Sequence, residues 1–167
     1  MCFDYATSET KSLMHQYGKS WVNLGGHSRG SMTIGNALES IASSLKDDKE
    51  PLSQTTVTFF GPAYNANKAD SILSKLQGRD FKDSSVRDDF VLQLHTHYLD
   101  PVATQTGKNP STGGTMPIGN NEFVERLKVM FGDNTAHNCY GNAGIACGGY
   151  WDGKVSLPVK VNILKKE

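Results

Sequence analysis

The sequence predicts an α/β fold: a mostly parallel sheet with helices on both faces, built as a single domain. Three observations carry that prediction. Strand-like runs alternate with segments of helical period through the first hundred residues, the order in which βαβ units are written. One such run passes through Gly26-His27-Ser28-Arg29-Gly30 directly into a helical period, the pattern of a sharp strand-to-helix turn with a serine at its apex. The later runs stop at turn residues, Gly61-Pro62 and Asp100-Pro101, which punctuate strands.

Taken in order, residues 1–6 read as the tail of a strand. Residues 7–17 read as a helix carrying Leu13, Met14 and Tyr17, with Gly18 as its C-terminal cap. Ser20-Trp21-Val22-Asn23-Leu24 is a short apolar run suited to a buried strand. After the serine turn, Ile34, Leu38, Ile41 and Leu45 recur on one helical face, until a charged run and Pro51 end the helix. Thr55-Thr56-Val57-Thr58-Phe59-Phe60 is β-branched and aromatic, a second strand. Residues 66–76 are helical through Ala69, Ile72, Leu73 and Leu76, closed by Gly78. The longest strand candidate covers residues 90–99, from Phe90 to Leu99. Residues 104–121 have no apolar period and are rich in Gly, Pro, Asn and Thr, so they form a loop, either a lid or a surface excursion. Residues 122–131 resume a helical period, a polar turn follows around His137, and residues 154–165 read as a strand or hairpin arm that Pro158 places near an edge.

Bulk composition narrows the function. The 167 residues form one domain by size, large enough for a real core. Lys+Arg and Asp+Glu number 17 each, and zero net charge argues against binding nucleic acid through phosphate neutralisation. No apolar run nears the roughly 18 residues of a membrane span, and no signal peptide is visible at the start. The expectation is a soluble domain without a membrane span. Three cysteines leave the redox compartment open: Cys139 and Cys147 share a Gly-rich loop and could pair or remain thiols, and no metal-type cysteine spacing is present.

The chemistry-bearing residues follow from what a serine requires. A hydroxyl becomes a useful nucleophile when an imidazole takes its proton and an acid holds that imidazole. On a parallel sheet such groups gather beyond the carboxyl ends of the strands, where Ser28 and Asp100 both fall. Of the five histidines, His15, His27, His95, His97 and His137, only the last follows Asp100, and it sits in a polar loop suited to a mobile base. The candidate catalytic set is therefore Ser28, Asp100 and His137. Asp133 is a reserve acid, and Asp89 precedes its strand and would lie at the wrong edge. Arg29, following the nucleophile, offers its backbone N–H to an oxyanion. Gly26 and Gly30 are expected to keep the turn tight and the helix close to its strand. His27 is expected to pack beside the site, and His95 and His97, two apart on one strand face, to serve the core or rim rather than a metal. A Cys139 nucleophile with His137 is a poor alternative, because residues two apart rarely face each other. No metal and no cofactor are called for.

These motifs resemble the α/β-hydrolase superfamily, and within it the lipase-like branch. Gly26-His27-Ser28-Arg29-Gly30 resembles the lipase pentapeptide. Leu99-Asp100-Pro101-Val102 is similar to the segment carrying the triad acid in class 3 lipases, and His137-Asn138-Cys139-Tyr140 resembles the region of their triad histidine, with its tyrosine shortly after. The resemblance covers residues 21–140 and implies a reduced α/β-hydrolase-like fold hydrolysing lipid-type esters through an acyl-enzyme. Only 27 residues precede Ser28, where the family usually has several strands and the loop giving a second oxyanion donor. That donor is unassigned, and a fragment or a pared-down fold is expected. A second resemblance joins Gly26-His27-Ser28-Arg29-Gly30-Ser31-Met32-Thr33 and Asn36-Ala37-Leu38 to segments near the C-termini of filamentous-haemagglutinin-type adhesins. It implies a toxin or effector domain delivered as the end of a larger secreted or surface protein, with a protein partner of the inhibitor or immunity type. The alternative function is accordingly a non-catalytic interaction or toxin domain.

Overall fold

The computed structural model describes residues 2–45, 50–78, 92–113, 121–132, 135–140 and 159–160. In order they form helix α1 (Cys2–Tyr17), strand β1 (Val22–His27), helix α2 (Arg29–Ser44), strand β2 (Thr55–Phe60), helix α3 (Ala66–Leu76), strand β3 (Leu92–His95), helix α4 (Glu122–Phe131) and strand β4 (Val159–Lys160). The sheet order is β1-β2-β3-β4. β1 pairs parallel with β2 and β2 parallel with β3, while β4 lies antiparallel on β3 at the edge. The chain thus adopts the expected α/β fold with a mostly parallel sheet.

Consecutive parallel strands in sequential order carry their crossover helices to one face, because such connections are right-handed. α2 and α3 obey this. Ile34, Ala37, Leu38 and Ile41 of α2, Ala69, Leu73 and Leu76 of α3, and Met14 of α1 share one buried cluster with Val57, Phe59, Leu92 and Leu94 of the sheet. Burying the Ile, Leu, Val, Phe and Met side chains among these stabilises by about 1.5–3 kcal/mol each. The alternate strand positions Asn23, Thr56 and Gln93 are exposed on the opposite face, where the Thr56 hydroxyl donates to Asn23 Oδ1. Among the described residues no helix is long and apolar enough to cross a membrane.

Three expectations are corrected. Helices are expected on both faces of the sheet, but among the described residues both crossover helices lie on one, because β1, β2 and β3 are parallel neighbours in sequential order. Residues 2–6 are helical, not the tail of a strand: α1 begins at Cys2. Helical hydrogen bonds are local, and this stretch holds no β-branched residue to oppose them; Tyr5 also donates its hydroxyl to Glu9 at 3.0 Å, one turn on. β3 ends at His95 rather than running on to Leu99. Its neighbour β2 stops at Phe60, and Gly61 N–H donates to His95 O at 2.8 Å as the last rung. Beyond it the backbone turns to a new partner: Thr112 N–H donates to Thr96 O at 2.8 Å, and His97 bridges to Gly113. The expected loop after Asp100 begins with a π-helical turn, Val102–Thr106. Of the expected C-terminal arm, Val159–Lys160 is described and sits at a sheet edge; its remainder lies outside the described residues, as do the first two residues of the expected third strand.

Candidate active site

The three parallel strands end together, and each delivers one piece of the site. Ser28 follows β1 with φ 50° and ψ −118°. A positive φ is costly for a serine, by about 1–3 kcal/mol, and persists only when the surroundings impose it. Here Ser28 N–H donates to Phe60 O at 3.2 Å, at the end of β2. Its own carbonyl accepts from the buried Ser31 hydroxyl at 2.5 Å, and Tyr64 N–H donates back to that Ser31 oxygen at 3.0 Å. Serine at a helix N-cap ordinarily spends its hydroxyl on the first turn. Ser28 makes no such cap bond. The geometry leaves its oxygen out of the helix.

The two elbow glycines differ. A Cβ at Gly26 would lie 3.0 Å from Ser31 N and from Ile34 Cδ1, so glycine there lets α2 approach β1. At Gly30 a Cβ would meet nothing within 4 Å. The expectation that Gly30 holds the helix close is wrong: it lies on the outer side of the first turn, facing open space. Arg29 is exposed, and as the first helical residue its N–H is not used by the helix's own ladder.

Asp100 is fully buried. One carboxylate oxygen accepts the N–H groups of Val102 at 2.9 Å and Ala103 at 3.1 Å; the other accepts the Tyr140 hydroxyl at 2.8 Å. His137 Nδ1 lies 3.0 Å from that second oxygen and 3.1 Å from the first. Burial is the largest single influence on this carboxyl and opposes its ionisation. The hydrogen bonds from His137, Ala103 and Tyr140 together outweigh it and hold its pKa below the usual aspartate value. A carboxylate accepts only, so the proton of a neutral His137 stands on Nδ1, and Nε2 keeps its lone pair. That is the tautomer of a general base.

His137 belongs to a 3₁₀ turn, Ala136–Asn138, whose buried Ala136 packs with Leu99, Val129 and Cys139 in a small second cluster. Cys139 is disulfide-bonded, so it carries no thiol for nucleophilic attack. Cys147, the one partner considered for it, lies outside the described residues, as do Asp133 and Asp89.

Ser28 and His137 meet through their neighbours. Among the described residues no hydrogen bond joins Ser28 Oγ to the imidazole. One residue earlier, His27 Nε2 lies 2.6 Å from His137 O, and the two rings sit 4.7 Å apart. Packing beside the site is the place expected for His27. His95 stacks on Phe60 with ring centroids 4.7 Å apart, and His97 Nδ1 accepts Leu99 N–H at 3.0 Å. The strand's early end separates these two histidines. Among the described residues no group of three or more His, Cys, Asp or Glu is placed to hold a metal ion.

Three supporting residues escape a reading of the sequence. Tyr140, besides holding Asp100, accepts His97 N–H at 2.8 Å; burial, then the Asp100 charge, push its own pKa well up. Gly61 has φ +49°, and a Cβ there would stand 2.5 Å from Asp100 Oδ2 and 2.6 Å from the Tyr140 ring. Asn109 is buried and donates to Pro62 O at 3.0 Å and Tyr64 O at 3.1 Å, while its oxygen accepts Ala66 N–H at 2.7 Å. It ties the loop after Asp100 to the loop beside Ser28. Only Tyr140 had a signal, its place three residues after His137. No family model, curated protein or solved structure matches the chain.

Proposed function

We propose that the chain is a serine hydrolase of carboxylic, lipid-type esters, working through Ser28, His137 and Asp100. The observation that supports this most is the contact between the half-buried His137 and the buried Asp100, 3.0 Å apart, with Ser28 in a strained turn past the carboxyl end of β1. Ser28 Oγ attacks the ester carbonyl as its proton passes to His137 Nε2. Asp100 accepts a hydrogen bond from Nδ1–H, stays ionised and stabilises the imidazolium that forms. The Arg29 N–H faces the developing oxyanion. The tetrahedral intermediate collapses, the alkoxide leaves with the proton from Nε2, and an acyl ester remains on Ser28. A water then gives its proton to Nε2 and attacks that ester, releasing the acid and restoring the serine. Such a cycle draws on no cofactor. The lipase-like motifs and the absence of any charge bias favour a neutral or amphiphilic ester.

One observation favours a second reading, a non-catalytic interaction or toxin domain with a protein partner. Among the described residues β1 is an edge strand, so no strand on its outer side leads into a loop that supplies a second oxyanion donor. Turnover of short- and long-chain p-nitrophenyl esters separates the two. The hydrolase reading expects p-nitrophenol release that falls about 10⁴-fold or more in Ser28→Ala and in His137→Ala. No turnover in the folded protein, or equal turnover in the variants, favours the second reading.

A further inference from the structure

We infer that His27 is a positioning residue, a clamp that fixes the general base relative to the nucleophile. The inference rests on the hydrolase reading for its consequence but on geometry for its existence. His137 sits on a short 3₁₀ turn outside the sheet, and its ring is held at Nδ1 by Asp100, a residue placed by β3. That contact, shared between both carboxylate oxygens, orients the ring from the segment after β3. The turn's backbone is held separately, through Ala136 and Cys139 in their small apolar cluster and through Tyr140. His27 supplies a further point: its Nε2 lies 2.6 Å from the His137 carbonyl oxygen. A carbonyl only accepts, so Nε2 carries the proton and donates it.

Its place in the chain makes this bond specific. Strand side chains alternate, and Gly26 faces α2 while His27 faces the other way. His27 therefore projects toward the side from which the 135–140 segment arrives, and its ring also packs 4.7 Å from the His137 ring. His27 and Ser28 are consecutive, with Cα atoms about 3.8 Å apart. A hydrogen bond from His27 thus references the base to the serine's own strand, which no bond through Asp100 does. Misplacing a catalytic group by about 1 Å can cost on the order of 100-fold in rate.

Three variants separate the bond from the ring. His27→Gln keeps an N–H donor at similar reach, His27→Phe keeps a ring without a donor, and His27→Ala loses both. The rate of fluorophosphonate labelling at Ser28 is expected to fall about 10- to 100-fold in the Ala and Phe variants, and to stay near wild type in Gln. On p-nitrophenyl esters kcat falls while KM holds. Amide exchange at Asn138 and Cys139, whose N–H groups close the 3₁₀ turn, quickens in Ala and Phe but not in Gln. Wild-type labelling and exchange in Ala overturn the clamp. A Phe variant that behaves as wild type overturns it equally, since packing alone then suffices. If the wild-type protein does not label at all, the hydrolase reading fails by itself. The exchange pattern then decides the anchor: faster in Ala and Phe supports it, unchanged in all three overturns it.

Discussion

The two sides of the candidate site are held by different forces. On the serine side Val22 to Ser44 is one strand, one turn and one helix, pinned mainly by packing, with Gly26 against Ser31 and Ile34, Leu38 and Ile41 in the core, and backbone N–H groups of Ser28 and Tyr64 tie the turn to other segments. On the acid–histidine side, Asp100, His137 and Tyr140 are up to 40 residues apart in sequence and meet through buried polar bonds. Apolar packing is non-directional and tolerates swaps of similar volume. A buried carboxylate with several donors tolerates little, because each donor left without it is stranded. The serine side should therefore bend under substitution where the acid side breaks.

The largest expected effect tests the acid side directly. Asp100→Asn keeps the shape but turns an amide toward His137, which favours the wrong tautomer. Ester turnover should fall about 10⁴-fold with the fold intact by circular dichroism. Next comes Gly61→Ala, which puts a methyl against Asp100 Oδ2 and the Tyr140 ring at a left-handed φ. Denaturant unfolding should register a loss of about 2–4 kcal/mol. Tyr140→Phe strands the His97 N–H and removes one donor from Asp100, at a cost of about 1–3 kcal/mol in the same experiment.

Acid titration probes the same carboxyl. Its pKa is lower folded than unfolded, so the unfolded chain binds more protons near the ordinary value of about 3.9, and stability rises with pH there. The contribution is fully present above that range and is lost as pH falls through the folded pKa. Thermal melts of wild type should drop across this window, and those of Asp100→Asn should drop less. The smallest change belongs to the serine side and has the opposite sign. Gly30→Ala meets open space inside a helix and should be neutral or stabilising by up to about 1 kcal/mol.

The same division explains what was legible. β2, α3 and α4 could be read from period and punctuation, because each is decided by neighbours within a dozen residues. The order Ser28, Asp100, His137 followed from strand ends and from a resemblance. Gly61 was read as a strand terminator, but its contact with Asp100 depends on β2 and β3 ending level. Asn109 looks like an ordinary loop residue until the chain folds its partners beside it, and Tyr140 was marked only by its place after His137. β3 ended early for an equally non-local reason: the β2 side had no rung left to offer past Gly61. Gly30 shows the converse. A motif position can be occupied by glycine without the contact that usually explains it.

The most direct measurement is mass spectrometry of the intact, folded protein after a fluorophosphonate, with the adduct mapped by peptide digestion. The account predicts one adduct, on Ser28, absent in Ser28→Ala and formed far more slowly in Asp100→Asn. A folded wild-type protein that takes no adduct, or one whose adduct sits on another residue and survives Ser28→Ala, would contradict it.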